Sequence, residues 1–144
     1  MSDPVLGTPF GAAAALHTAV TRPRPDAVVV AVEGEVDTLT APRLESDLGE
    51  ALQAATTNAG TVVADLTGVT FLSSSGLAVL IQAARRAAAT GVPLRLVAVT
   101  RAVTRPLAVT GADVLFDIHA DVGSALAARS ASADVAPPSG GGGR

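Results

Sequence analysis

Two short runs constrain this chain more than anything else in it. TVVADL at 61–66 and LRLVAVT at 94–100 are apolar at nearly every position instead of alternating, the pattern of strands buried on both faces. Strands of that kind lie parallel and need crossover helices between them. The stretch that separates them, SSSGLAVLIQAARRAAATG, has the composition of such a helix.

The flanking segments extend the same alternation. A strand is expected at Leu16–Val20, a turn at TRPRPD, and a β-branched strand at Ala27–Val36, together forming a hairpin. DTLTAPRLESDLGEALQAA carries Thr40 as N-cap, Pro42 in the first turn, and Leu44, Leu48, Ala51, Leu52 and Ala55 on one face. The next helix opens at the serines of FLSSSG, with Ser75 as its starting residue. It is expected to bury Leu77, Leu80, Ile81, Ala84 and Ala88, to turn Gln82, Arg85 and Arg86 to water, and to stop at Gly91 before Pro93. A weaker third helix, RAVTRPLAVTG, is expected to be interrupted at Pro106 and closed by Gly111. VLFDIH reads as the last strand, and DVGSALAARS as a short helix capped by Asp121.

The resulting order, β-β-α-β-α-β-α-β-α, predicts an α/β fold: a mixed sheet of roughly four to five strands with about four helices mainly on one side. A chain of 144 residues suits one domain. Its folded part is expected over 15–129, after a flexible N-terminal segment at 1–14 and before a disordered Ser/Pro/Gly-rich tail at 130–144.

Composition removes several function classes. Every one of the ten basic residues is Arg, scattered across a chain of net charge −3, and aromatics are only 2%. That is no footprint for nucleic acid, which needs clustered basic residues and stacking rings. Without Lys there is neither a Schiff base nor a P-loop lysine, and without Cys neither a thiolate nucleophile nor a disulfide framework. No run approaches the roughly 20 apolar residues of a membrane span, and the N-terminus lacks the basic start of a secretory signal. The expectation is a cytoplasmic protein with no membrane partner, no nucleic-acid partner and no cofactor.

Three sets of residues invite chemistry. Ser74 stands between a strand and a helix, where hydrolases place a nucleophile. However, Leu72 replaces the glycine their elbow needs, and the only bases on offer are His17 and His119. Glu33, Glu35 and Asp37 fall at i, i+2 and i+4, so a regular strand would gather three carboxylates fit for Mg²⁺; the simpler alternative is a solvated strand end with Gly34 marking a bulge. Finally, one hydroxyl among Ser73, Ser74 and Ser75 suffices to cap the helix. A phosphate on another would be tolerated at a helix N-terminus and would add about −1.5 to −2 charges to an otherwise neutral surface.

GEVDTLTAPRL at 34–44, DLTGVTFLSSSGLAVL at 65–80 and AVTRPLAVTGADVLF at 102–116, in this order and spacing, resemble the STAS domain of bacterial anti-sigma-factor antagonists. The resemblance covers about 15–128 and implies a regulator, not an enzyme, on a small mixed sheet flanked by helices. It implies as partners an anti-sigma factor with a histidine-kinase-like serine kinase domain, which the antagonist binds until phosphorylated, and a PP2C-type phosphatase that reverses the modification. The family loop reads Asp-Ser-Ser-Gly-Leu or Asp-Ser-Thr-Gly-Leu, with the first hydroxyl residue as acceptor. Here Ser73 takes the Asp position, Ser74 the acceptor and Ser75 the next hydroxyl, followed by Gly76 and Leu77. Serine at 73 removes a charge beside the acceptor and itself becomes an alternative acceptor, with Ser75 as a further alternate. Asp37, with Glu35 beside it, matches the family's acidic residue after the second strand, and the partner-binding set it implies is Asp37, Glu35, Ser73, Ser75, Gly76 and Leu77. The alternative reading keeps the fold and drops the switch: a non-phosphorylated STAS scaffold or ligand-sensing module.

Overall fold

The nine expected elements occur in the expected order in the computed structural model, which describes residues 16–58 and 60–128. They are β1 (Leu16–Arg24), β2 (Ala27–Val36), α1 (Ala41–Asn58), β3 (Thr61–Leu72), α2 (Ser74–Thr90), β4 (Leu94–Val97), α3 (Arg101–Thr110), β5 (Asp117–His119) and α4 (Val122–Ala127), with a 3₁₀ turn at Ala112–Leu115 before β5. The segments 1–14 and 130–144 lie outside the described residues.

The five strands form one sheet in sequence order, β1-β2-β3-β4-β5. β1 and β2 are antiparallel and every later pair is parallel. Val28, Val30, Val32, Val62, Ala64, Leu66 and Leu96 project from one face into a core closed by α1, α2 and α3. Val29, Val63 and Val97 alternate onto the other face, where, among the described residues, α4 covers them through Ala125, Val122 and Leu126. Double-faced burial of β3 and β4 is therefore real, with the helices mainly on one side.

α4 is short, and polar contacts seat it. Arg95, only 2% exposed, donates through Nη1 to the Ala125 carbonyl at 3.2 Å and through Nε to Asp117 at 3.3 Å. Arg24 donates to the Leu126 carbonyl at 3.0 Å, so two cations meet carbonyls that the end of the helix leaves without donors. At the other end the Asp121 carboxylate accepts from the Ser124 N–H at 2.7 Å, as the expected cap.

That bond, chiefly, holds the Asp121 carboxyl below its ordinary range, with the nearby His119 a smaller influence in the same direction. A carboxyl depressed in the folded state stabilises fully above its unfolded pKa near 3.8, and the contribution disappears as pH falls through the lower folded value. Asp121→Asn keeps a capping side chain without the titration. Thermal melts should show the wild type losing its margin over this variant below about pH 4, and equal slopes for the two on the acid side would refute the linkage.

Several elements depart from the sequence expectation. β1 continues past Val20 to Arg24, because an edge strand tolerates Pro23 where no second neighbour needs its N–H, and a register irregularity between Thr21 and Arg24 absorbs the rest. β3 continues past Leu66 to Leu72, and Gly68 lies so close to β2 that a Cβ there would meet the Glu33 Cβ at 3.0 Å. β4 stops at Val97, and Val99 is exposed. α3 runs through Pro106 without interruption; a lost hydrogen bond and ring clash cost about 3 kcal/mol, offset by complete burial of Val103 and Leu107, each contributing about 1.5–3 kcal/mol. Val114 and Leu115 lie in the 3₁₀ turn and not in the last strand, because the chain must reverse between α3 and β5 after the left-handed Gly111.

α1 buries the five predicted residues, and Ala41 with them. α2 is rotated from the predicted stripe: Gly76, Leu77, Leu80, Ala83 and Ala87 are buried, Ile81 and Ala84 half-buried, and Ala88 exposed. A helix apolar on most sides does not announce which face goes inward, and here small residues face the sheet and let it approach closely. Among the described residues no helix is long and apolar enough to cross a membrane.

Candidate functional site

β2 and β3 run parallel and end together, with Val36 paired to Leu72, and the Ser73 N–H donates to the Val36 carbonyl at 2.8 Å. The loop after β2 and the loop after β3 are thereby set side by side at the carboxyl ends of adjacent parallel strands, the place where open α/β sheets present functional groups.

The first loop is built by Asp37 and Thr40. Asp37 Oδ1 accepts from the N–H groups of Leu39 at 2.9 Å and Thr40 at 3.0 Å. The Thr40 hydroxyl donates to the Glu35 carbonyl at 2.8 Å and accepts from the Asp37 N–H at 2.9 Å. Thr40 therefore precedes α1 as expected but does not cap it; its hydroxyl closes the loop backward. One consequence is that Leu39 is held 81% exposed at the loop tip.

The second loop sorts the three hydroxyls. Ser73, in extended conformation, is the N-cap: its Oγ accepts from the Gly76 N–H at 3.2 Å and its carbonyl from the Leu77 N–H at 2.9 Å. Helix α2 thus opens at Ser74, one residue earlier than the Ser75 start read from sequence. Ser75 shares a 3.2 Å hydrogen bond with Thr38 of the first loop, which ties the loops together. Ser74 is exposed, and among the described residues its side chain makes no hydrogen bond.

Serine and aspartate cap helices about equally well, so the uncharged residue at 73 suffices to start α2. Ser73→Ala should cost about 1 kcal/mol. Ser73→Asp should match or exceed the wild type by about 0.3–1 kcal/mol, because α2 has no acidic residue in its first turn. Urea denaturation of both variants checks the pair.

Gly76 and Leu77 are buried, so they seat α2 and do not offer side chains to a partner. Glu35 is exposed beside the loops, while Asp37 is half-buried and occupied with its own backbone. Glu33, Glu35 and Asp37 do not converge: Gly34 has φ 113 and the β2–β3 register shifts after it, so the regular alternation that would gather them is broken. Among the described residues no group of three or more His, Cys, Asp or Glu is placed to hold a metal ion.

Neither histidine is placed as a base for Ser74. His119 is level with Val97, and Val97 with Asp65, which precedes Leu72 on β3 by about 23 Å of strand. His17 is on β1, two strands away from β3, paired with Glu33. A nucleophilic hydrolase site is not assembled among the described residues.

Thr38 and Leu39 went unnoticed in the sequence. Asp37 and Thr40, three apart just before a helix, are a local signature of a hydrogen-bonded turn that presents the two residues between them.

The STAS domain family model matches residues 18–125. An anti-sigma factor antagonist from Mycobacterium paratuberculosis is similar at 32% identity with TM-score 0.66, over 77% of this chain and 91% of that one. The anti-sigma factor antagonist SpoIIAA in its unphosphorylated form shares the fold at 17% identity and TM-score 0.62, over 76% of this chain and 93% of that one. The phosphorylated form of the Bacillus protein does so at 17% identity and TM-score 0.59, over 76% and 96%. No curated protein sequence matches significantly. With a family model spanning the whole sheet from β1 to α4, the chain belongs to the STAS domain family and has the fold of the anti-sigma-factor antagonists.

Proposed function

We propose that this protein is a cytoplasmic anti-sigma-factor antagonist, a regulator and not a catalyst, switched by phosphorylation of Ser74. Unmodified, it binds an anti-sigma factor that carries a histidine-kinase-like serine kinase domain, and so releases the sigma factor. The kinase transfers the γ-phosphoryl group of ATP to Ser74 Oγ; the new O–P bond replaces the bond to ADP, and the hydroxyl proton leaves to a base on the kinase. A PP2C-type phosphatase restores the hydroxyl by hydrolysis.

The observation that carries this reading is the division of labour among the serines. Ser73 is occupied as the cap and Ser75 with Thr38, which leaves Ser74 as the exposed hydroxyl at the first position of α2. The helix N-terminus accommodates a phosphate within the antagonist itself. A partner pressed onto Ser74, Leu39 and the tied loops would have to desolvate that charge, so modification favours release.

Incubation with the cognate kinase and ATP should add a single phosphate, seen by intact-mass spectrometry and mapped to Ser74, with Ser74→Ala unmodified. Phosphate mapped to Ser73 or Ser75, or none at all, would sink the assignment.

A second reading, a non-phosphorylated scaffold or ligand sensor, draws on the crevice of about 190 Å³ between α1 and α2, where Leu48, Leu52, Val79 and Ala83 are flanked by Glu45 and Arg86. It gains only if the kinase adds no phosphate and a small ligand shifts residues of that crevice.

A further inference from the structure

β3 outlasts its neighbour. Its pairing with β4 ends at Asp65 opposite Val97, yet it continues to Leu72, with β2 on one side and α3 packed beside it on the other. Between this last stretch of β3 and α3 lies an open groove of about 360 Å³ whose lining includes Phe71, Leu72, Pro106 and Val109, together with Arg101 and Arg105. Phe71 is 50% exposed and Val109 72% exposed, so large apolar side chains remain in water here.

The two arginines stand four residues apart on α3 and thus on one face of the helix. Both are exposed, and neither forms an ion pair with a described carboxylate. On a chain of net charge −3 they make a local positive rim beside an apolar floor. Arginine and aromatic residues around a desolvated centre are the composition of interface hot spots. The groove is open along its length, whereas small-molecule sites enclose most of their ligand.

We propose that this groove docks an acidic amphipathic helix of a protein partner. The partner's apolar residues, at i, i+3, i+4 and i+7, pack against Phe71, Pro106 and Val109, while its Glu or Asp residues meet Arg101 and Arg105. The contact is separate from the Ser74 switch: it uses α3 and the edge of β3, not the tied loops, and needs no phosphate. It adds a constant foothold beside a reversible one, so that a partner released at Ser74 is still kept near by effective concentration.

The probe is a fluorescein-labelled helical peptide of Leu and Glu, about 14 residues long, titrated into the full chain and followed by anisotropy and backbone amide NMR. It should bind with Kd on the order of 10–100 μM, weaken as salt is raised, and shift amides of residues 70–72 and 101–109. Arg101→Glu with Arg105→Glu should weaken it at least about tenfold, and Phe71→Ala similarly; the exposed arginine pair keeps the test informative if Phe71→Ala unfolds. Ser74→Asp should leave it within about twofold.

Equal binding of a Leu/Lys peptide would reduce the groove to unspecific apolar contact, and equal binding of a Ser/Glu peptide to charge alone; either overturns the proposal. Loss of binding in Ser74→Asp overturns the separateness of the two contacts. Failure of the kinase to phosphorylate Ser74 touches only the switch, because no arm of this titration uses it.

Discussion

Gly76→Ala should destabilise the domain by about 2 kcal/mol, read as a lower urea midpoint at unchanged slope. A Cβ at this position would sit 2.5 Å from Val36 Cγ1 and 2.8 Å from Leu72 Cδ1. The Leu72 methyl can rotate aside, but Val36 is fully buried and β-branched, with little rotamer freedom. Overpacking of this kind costs about 1–3 kcal/mol, toward the upper end here, and the better helix propensity of alanine returns about 1. Combining Gly76→Ala with Val36→Ala should give a loss smaller than the sum of the two single losses by about 1 kcal/mol or more, since the new methyl enters the space the valine vacates. Strict additivity would show that the contact is not the cause. The same substitution should also weaken partner binding, because it lifts the start of α2 from the sheet and disturbs the Ser73 cap and the Thr38–Ser75 link.

Ser74→Asp should move stability and binding in opposite directions. A carboxylate at the first position of α2, whose first turn holds no acidic residue, should stabilise the fold by about 0.3–1 kcal/mol. Binding to the proposed anti-sigma kinase should fall at least about tenfold, or about 1.4 kcal/mol, while Ser74→Ala should bind like the unmodified protein and accept no phosphate. Calorimetry of binding and thermal melts of the same samples check both signs. A variant that loses affinity by unfolding would lower both together, so the opposed signs separate an electrostatic switch from damage to the fold.

How much was legible beforehand differed by kind of residue. The strands buried on two faces, 61–66 and 94–97, stood out because only a covered parallel sheet lets so many neighbouring positions be apolar. The α1 stripe was equally plain, because Arg43, Glu45 and Glu50 mark its wet face by contrast. α2 offered too little contrast: alanine is compatible with either side, and the inward face was set by how closely Gly76 lets the helix approach Val36 and Leu72. Pro106 signalled an interruption by a local rule, and burial of Val103 and Leu107 overrode it.

The candidate site divides in the same way. The residue types, a hydroxyl tract at a strand-to-helix junction and an aspartate after the preceding strand, are properties of the sequence, and they carry the STAS resemblance. Which hydroxyl is tied to Thr38 and which is left exposed depends on a bond between loops 37 residues apart in the chain, and no local propensity encodes it. The cap itself is a local Ser73–Gly76 bond, but which serine takes it depends on β3 ending at Leu72, where the Ser73 N–H meets the Val36 carbonyl. Sequence by itself determined the order of elements and the family, because hydrophobic periodicity and short motifs are local quantities. Tertiary structure alone decided which serine is tied to Thr38, which is left exposed, and the Arg-rimmed groove beside Phe71, because those follow from where β2, β3 and α3 stop and what their ends are packed against.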